Sequence, residues 1–371
     1  MIHWTKRFGR LDSAFARGVS LSAVLAAASG LFLACGCGSD ANDAGGPSGG
    51  SSGAGTGSAG DSTTNAGSSG SAAGGSAGSA SSGVRVDRHL ALAIDFGCAL
   101  GSNAELKCWG TLPQDTGAVA PPSASFLSIA SKERTACGVD KDSQVRCWGS
   151  VDAGSQSAAT GQFSRIGVGI SAYCGLRSNG SALCWGASSL VFDASVEYAQ
   201  IGVGRKFACG LRATGQIDCV GSISGAVIRP PSGVFALLAV GDLHACALGT
   251  DGSIACWGEG GPDDPTDGSD ANHSLWGQAI APTGQFVDVA VGIVHSCALA
   301  RDGHAVCWGA GKGSGDCSAS VDNCGMAAPP ADSFSELALG YSNSCGIRLD
   351  GSVACWGSNT GGRSTPPSGA L

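Results

Sequence analysis

Cysteine carries the first chemical signal. Of the 18 cysteines in 371 residues, 14 fall into seven pairs with an unvarying ten-residue offset: Cys98 with Cys108, Cys137 with Cys147, Cys174 with Cys184, Cys209 with Cys219, Cys246 with Cys256, Cys297 with Cys307, and Cys345 with Cys355. Thiols either hold metal or oxidise to disulfides. Zinc modules space their ligands as Cys-x2-4-Cys with a second such pair or with histidines. No such spacing occurs here, so disulfides and an oxidising compartment are expected, with no metal and no cofactor. Cys317 and Cys324 form an eighth expected pair, leaving Cys35 and Cys37 over.

Other reactive side chains fall into the same repeat. His244 and His295 each stand two residues before the first cysteine of a pair, where other repeats have Thr135, Ala172, Phe207 and Asn343. That exchange for inert residues assigns them to structure, not to a pair of ligands or bases. Asp263, Asp264, Asp267 and Asp270 lie close to His273 and Trp276. A calcium loop needs oxygen ligands at alternate positions and a late Glu, but Pro265 takes one such position and Ser274 the last. A solvated acidic loop is expected. No Gly-x-Ser-x-Gly, phosphate loop or metal-binding helix occurs. The formal net charge is −8, and removing Lys6, Arg7, Arg10, Arg17 and Asp12 with a leader makes the remainder more acidic. Nucleic acid is therefore disfavoured as a partner.

The constant offset also fixes a local structure. Two residues face each other across a hairpin only when equidistant from its turn, and Asp302 lies midway between Cys297 and Cys307. A three-residue loop Arg301-Asp302-Gly303 makes Ala300 and His304 the closing pair. Stepping outward puts the cysteines opposite each other at a non-hydrogen-bonded site, with Cα atoms about 4.5 Å apart. The last loop residue must be left-handed, which favours Gly. Gly180, Gly215, Gly252, Gly303 and Gly351 comply, whereas Ala104 and Ser143 predict a strained or different turn.

First cysteines recur 39, 37, 35, 37, 51 and 48 residues apart, a period that marks a propeller or solenoid. Short aliphatic runs bounded by Gly precede the hairpins, as in Phe163 to Gly169 and Phe334 to Gly340. Three strands per unit, with room for a fourth in the Pro-containing spacers, predict an all-β, seven-bladed β-propeller with a disulfide-linked hairpin in each blade. The tryptophans at 109, 148, 185, 257, 308 and 356 repeat with the hairpins and are expected to pack between blades.

Lys6, Arg7, Arg10 and Arg17 precede an uncharged apolar run from Val19 to Ala34. This is an export-signal pattern, too short for a membrane span. Its end, Phe32-Leu33-Ala34-Cys35-Gly36, resembles a bacterial lipoprotein signal, which implies lipidation of Cys35, with Cys37 the weaker candidate. The absence of Asp after Cys35 implies outer-membrane sorting by the same resemblance. Residues 1–35 are thus expected to be signal and lipidation site. Residues 36–83, nearly all Gly, Ser, Ala, Thr and Asn, are expected to be a tether with a reach of about 35 to 40 Å. Residues 84–371 hold the propeller.

The pattern of His-Ser-Cys-Ala-Leu, a turn with Asp-Gly, then Cys-Trp-Gly resembles the repeat of the regulator of chromosome condensation family, in its cysteine-paired exported bacterial form. The resemblance implies a seven-bladed propeller. Residues of a nucleotide-exchange surface cannot be matched, so exchange or chromatin binding rests on the family name alone and conflicts with export and acidic charge. Repeating residues are absorbed by turns, disulfides and packing, and individuality is concentrated in the spacers. The two long ones, Glu259 to Gln285 and Ala310 to Ser333, are the expected binding loops, around Asp264, Asp267, Trp276, Asp316 and Asp322. The expectation is a non-catalytic envelope lipoprotein that binds a protein or envelope ligand and meets the membrane through its lipid only, or is secreted. The alternative is an exported hydrolase or lyase with a site at the central channel.

Overall fold

The computed structural model describes residues 88–111, 121–150, 160–186, 190–223, 226–261, 276–312 and 325–371. The leader, Cys35, Cys37, the tether, Asp263, Asp264, Asp267, Asp270, His273, Asp316, Asp322, Cys317 and Cys324 lie outside the described residues.

Seven antiparallel sheets follow one another along the chain. Blade one is β1 (Leu90–Leu92), β2 (Phe96–Leu100) and β3 (Leu106–Gly110); blade two is β4 (Phe126–Lys132), β5 (Thr135–Asp140) and β6 (Val145–Gly149). Blade three is β7 (Phe163–Val168), β8 (Ala172–Arg177) and β9 (Ala182–Gly186). Blade four is β10 (Tyr198–Val203), β11 (Phe207–Arg212) and β12 (Ile217–Ile223), with a short fourth strand β13 (Ala226–Val227). Blade five is β14 (Phe235–Val240), β15 (His244–Gly249) and β16 (Ile254–Gly258); blade six is β17 (Phe286–Val291), β18 (His295–Ala300) and β19 (Ala305–Gly309). Blade seven is β20 (Phe334–Leu339), β21 (Asn343–Arg348) and β22 (Val353–Gly357). Successive blades pack side by side, and the first packs on the last. The chain is a seven-bladed propeller, and the fourth outer strand forms in blade four alone among the described residues.

Each of the seven cysteine pairs of ten-residue offset is a disulfide between facing residues, as Cys297 opposite Cys307. Their Cα atoms lie 4.0 to 4.1 Å apart in all seven hairpins, closer than the 4.5 Å of an unlinked pair. The innermost strand adapts to that bridge. Opposite the first cysteines stand only Ala91, Ala130, Gly167, Gly202, Ala239, Ala290 and Ala338. The bridge fills that face of the sheet, so its cross-strand neighbour has to be small.

The turns follow the hairpin argument. Ala300 N–H donates to His304 O at 2.9 Å, and Gly303 N–H to Ala300 O at 3.0 Å. The five expected glycines take φ of 79 to 90°, while Ala104 and Ser143 adopt the same turn at 62 and 61°. The strained option therefore holds in blades one and two. Each turn then caps the next blade: Phe235 N–H donates to Gly215 O, Phe286 to Gly252 O and Phe334 to Gly303 O, all at 2.8 Å. The glycine two residues after each second cysteine has φ of 91 to 105°. A Cβ on it would lie 2.3 to 2.7 Å from a carbonyl oxygen of the loop joining the first two strands, which is why Trp-Gly recurs.

Among the described residues ring closure uses no exchanged strand. Leu90, Leu92, Ala99 and Trp109 of blade one share an apolar cluster with Ala338, Cys345, Ile347 and Val353 of blade seven. The Glu336 carboxylate accepts from the backbone N–H groups of His89 and Leu90 at 2.8 and 2.9 Å. The C-terminal segment completes the joint. Arg363 O accepts from Trp109 Nε1 at 2.8 Å and from Asn343 Nδ2 at 3.3 Å, and Leu371 N–H caps Gly351 O at 3.1 Å as a next inner strand would.

Candidate interaction faces and axial channel

The turns between second and third strands lie with the starts of the inner strands on one face, here the turn face. The loops between first and second strands lie on the other, the loop face. The chain enters at the turn face beside the axis. There the Arg88 guanidinium donates to Asp288 Oδ2 at 2.8 Å and to Val289 O at 2.7 Å, reaching blade six from blade one. Burial pushes the Asp288 carboxyl up, against the opposing pull of Arg88.

The described ends of both long insertions lie on the loop face instead. The outer strands deliver the chain there, where Glu259 N–H donates to Leu243 O and Ala310 N–H to Val294 O, each at 2.9 Å. The ends of each insertion are then held together: Ala279 N–H donates to Gly260 O at 3.3 Å, and Ala327 N–H to Gly311 O at 3.0 Å. Of the expected binding residues, Trp276 is described and is 37% exposed, close to Ile280 at 58%.

The histidines brace these bases. His244 and His295 are fully buried between blades, not on a rim. The Ser296 hydroxyl donates to Gln278 O at 3.0 Å and therefore accepts from His244 Nε2–H at 2.8 Å. His295 Nε2–H donates in the same way to Ser344 Oγ at 2.8 Å, which donates to Met326 O at 2.8 Å. Gln278 O also accepts from Trp308 Nε1 at 2.8 Å and Met326 O from Trp356 Nε1 at 2.9 Å. Burial, with smaller contributions from His295 and Lys132, holds His244 down to about 3. Burial does the same for His295. Neutral, fixed and enclosed, neither ring is placed to act as a base. The turns Gly277-Gln278-Ala279 and Gly325-Met326-Ala327 escape sequence reasoning because their contribution is a carbonyl.

The seven inner strands surround an axial channel of about 220 Å³. Their end positions vary from blade to blade, so individuality extends to the inner strands as well. At the turn-face mouth the column reads His89, Ser128, Arg165, Gln200, Leu237, Asp288 and Glu336, by register with the second strands. Gln200 bridges to blade five, donating to Ala236 O at 3.1 Å and accepting from Leu238 N–H at 2.8 Å. At the loop face Lys132 Nζ of blade two lies 3.0 Å from Asp242 Oδ1 of blade five, across the ring, with Arg205 at 3.5 Å from the same carboxylate. Among the described residues no group of three or more His, Cys, Asp or Glu is arranged to hold a metal ion.

Residues 334–363, most of blade seven with part of the C-terminal segment, match the family model described as the regulator of chromosome condensation (RCC1) repeat. The chain is similar to the ectodomain of the Physcomitrella patens receptor kinase CR4, at 24% identity over 73% of each chain with a TM-score of 0.56. It is also similar to the CRINKLY WD40 ectodomain of the Arabidopsis thaliana receptor kinase ACR4, at 22% identity over 73% of this chain and 98% of that one with a TM-score of 0.54. These likenesses establish the fold. No curated protein matches the chain.

Proposed function

We propose that this chain is a cell-envelope lipoprotein whose propeller is a protein-binding module that docks its partner on the loop face. One observation carries the reading. The bases of both long insertions are fastened at neighbouring blade boundaries on the loop face, while the chain enters at Arg88 on the opposite face. A lipid on Cys35 and a tether over residues 36–83 would join the propeller on the turn face and leave the loop face free of the attachment. Seven disulfides agree with an oxidising compartment. Rigid scaffolds that present irregular loops are the usual platforms for recognition. The acidic loop residues Asp264, Asp267, Asp316 and Asp322, with Trp276, are the proposed contacts.

Two measurements test this. Mass spectrometry of the mature N-terminus should find an acylated Cys35, and a free N-terminus elsewhere would remove the anchor. Shortening 262–275 or 313–324 should leave all seven hairpin disulfides intact while abolishing capture of the envelope partner bound by the full chain. Undiminished capture after both deletions would move the site off these loops.

A further inference from the structure

At the loop-face end of the inner strand, six blades place a residue with little or no side chain. Ala93, Gly169, Gly204, Gly241, Gly292 and Gly340 stand there, each donating its N–H to the carbonyl of the first residue of the second strand. Blade two puts Lys132 in that place, opposite Thr135. Its side chain crosses the ring to Asp242 of blade five, where Nζ lies 3.0 Å from Oδ1. Both groups are enclosed, with 11% of the Lys132 side chain accessible and none of that of Asp242. Arg205 Nη2 stands 3.5 Å from the other carboxylate oxygen. Among the described residues neither oxygen receives a hydrogen bond of good geometry. A buried ion pair with its lone pairs unsatisfied does not recover the desolvation of its charges.

An amine and a carboxyl held in this way are reactants as well as charges. Reacting atoms about 3 to 3.5 Å apart are in near-attack position, and Cγ is one bond from the Oδ1 that Nζ touches. Water is kept off by the aliphatic side chains that line the channel beside Lys132, among them Val168, Val203, Val240, Val291 and Leu339.

We propose that Lys132 and Asp242 condense to an isopeptide bond that braces blade two to blade five. One proton passes from Nζ to Oδ1, which turns the ion pair into an amine and a carboxylic acid. The Nζ lone pair then bonds to Cγ, and the π electrons of the carbonyl move onto Oδ2, where the Arg205 guanidinium faces the developing charge. A second Nζ proton goes to Oδ1, the Cγ–Oδ1 bond breaks, and water leaves. The amide keeps the third proton, and nothing is oxidised or reduced. Two charges in an enclosed site are thereby replaced by one neutral amide. All seven disulfides join strands of a single blade, so this bond is a covalent tie of a different kind, from one blade to another. It rests on the channel alone and is independent of where a partner docks.

The test is peptide mapping of the oxidised full-length protein, which is then unfolded, reduced, alkylated and digested with trypsin. Trypsin does not cut after an acylated lysine. The expected product is one branched peptide that carries both Lys132 and Asp242 and is lighter by one water than its two arms together. It should replace the linear peptides, and it should be absent from Lys132→Arg, which keeps the ion pair but has no amine to condense. Recovery of both linear peptides at full mass, with cleavage after Lys132, would overturn the bond. A loss of water from the Asp242 peptide that persists in Lys132→Arg would overturn it equally.

Discussion

At the turn of each hairpin a single position decides the local strain. Ala104 and Ser143 hold φ of 62 and 61° where five blades use Gly, and a left-handed non-Gly residue costs about 1 to 2 kcal/mol. Ala104→Gly and Ser143→Gly should each raise stability by about 1 kcal/mol, read from the urea midpoint. The buried histidines act at the same scale but are set by their neighbours. The position two before the first cysteine faces the residue one before it in the next blade, and in three blades a large residue there meets a small one. Phe96 clusters with Ala136, Phe207 with Ala245, and His244 meets Ser296. His244→Phe with Ser296→Ala should therefore fold as the blade one and blade four interfaces do. His244→Ala alone should cost about 2 to 4 kcal/mol. Acid separates these cases. Both imidazoles sit near 3 in the folded chain against about 6.5 unfolded. Above pH 6.5 the neutral links contribute fully. As pH falls from 6.5 towards 3, only the unfolded chain gains these protons, and stability drops by about 1.4 kcal/mol per pH unit for each histidine. The double variant should lose one histidine's share of that slope, seen by comparing urea midpoints at pH 7 and 4.5.

At the scale of elements, the hairpins were readable because the ten-residue offset is a symmetry of the turn. The small residues opposite the cysteines were visible as Ala and Gly, yet their cause needed the pairing of β17 with β18 and its counterparts. The polar ends of the inner strands stayed hidden for a different reason. Gln200 and Glu336 occupy equivalent positions in their repeats, but each satisfies the backbone of the following blade, a relation that exists only in the ring. Closure depends on this. Glu336→Gln reproduces the Gln200 bridge and should be mild, whereas Glu336→Ala should release β1 from β20. Removing residues 359–371 takes away the Arg363 carbonyl that holds Trp109 and Asn343. Hydrogen exchange should then accelerate in β1, β2 and β21 while blades three to five stay protected.

The whole molecule combines seven locally stapled units, each disulfide closing a short loop worth about 2.5 to 3 kcal/mol in the loop-entropy model. Reduction should accordingly melt the ring well below the oxidised protein. Fold and blade count were legible because they repeat. The proposed docking direction was not, because it rests on which face receives the chain at Arg88 and which holds Gly260 with Ala279 and Gly311 with Ala327. That division into an entry face and a recognition face is the central claim. It is tested most directly by placing a photo-crosslinking residue at Tyr341 on the loop face or at Leu349 on the turn face, both exposed, and irradiating intact cells. The account predicts protein crosslinks from position 341 and none from position 349. Crosslinks to a protein partner from position 349 alone would contradict it.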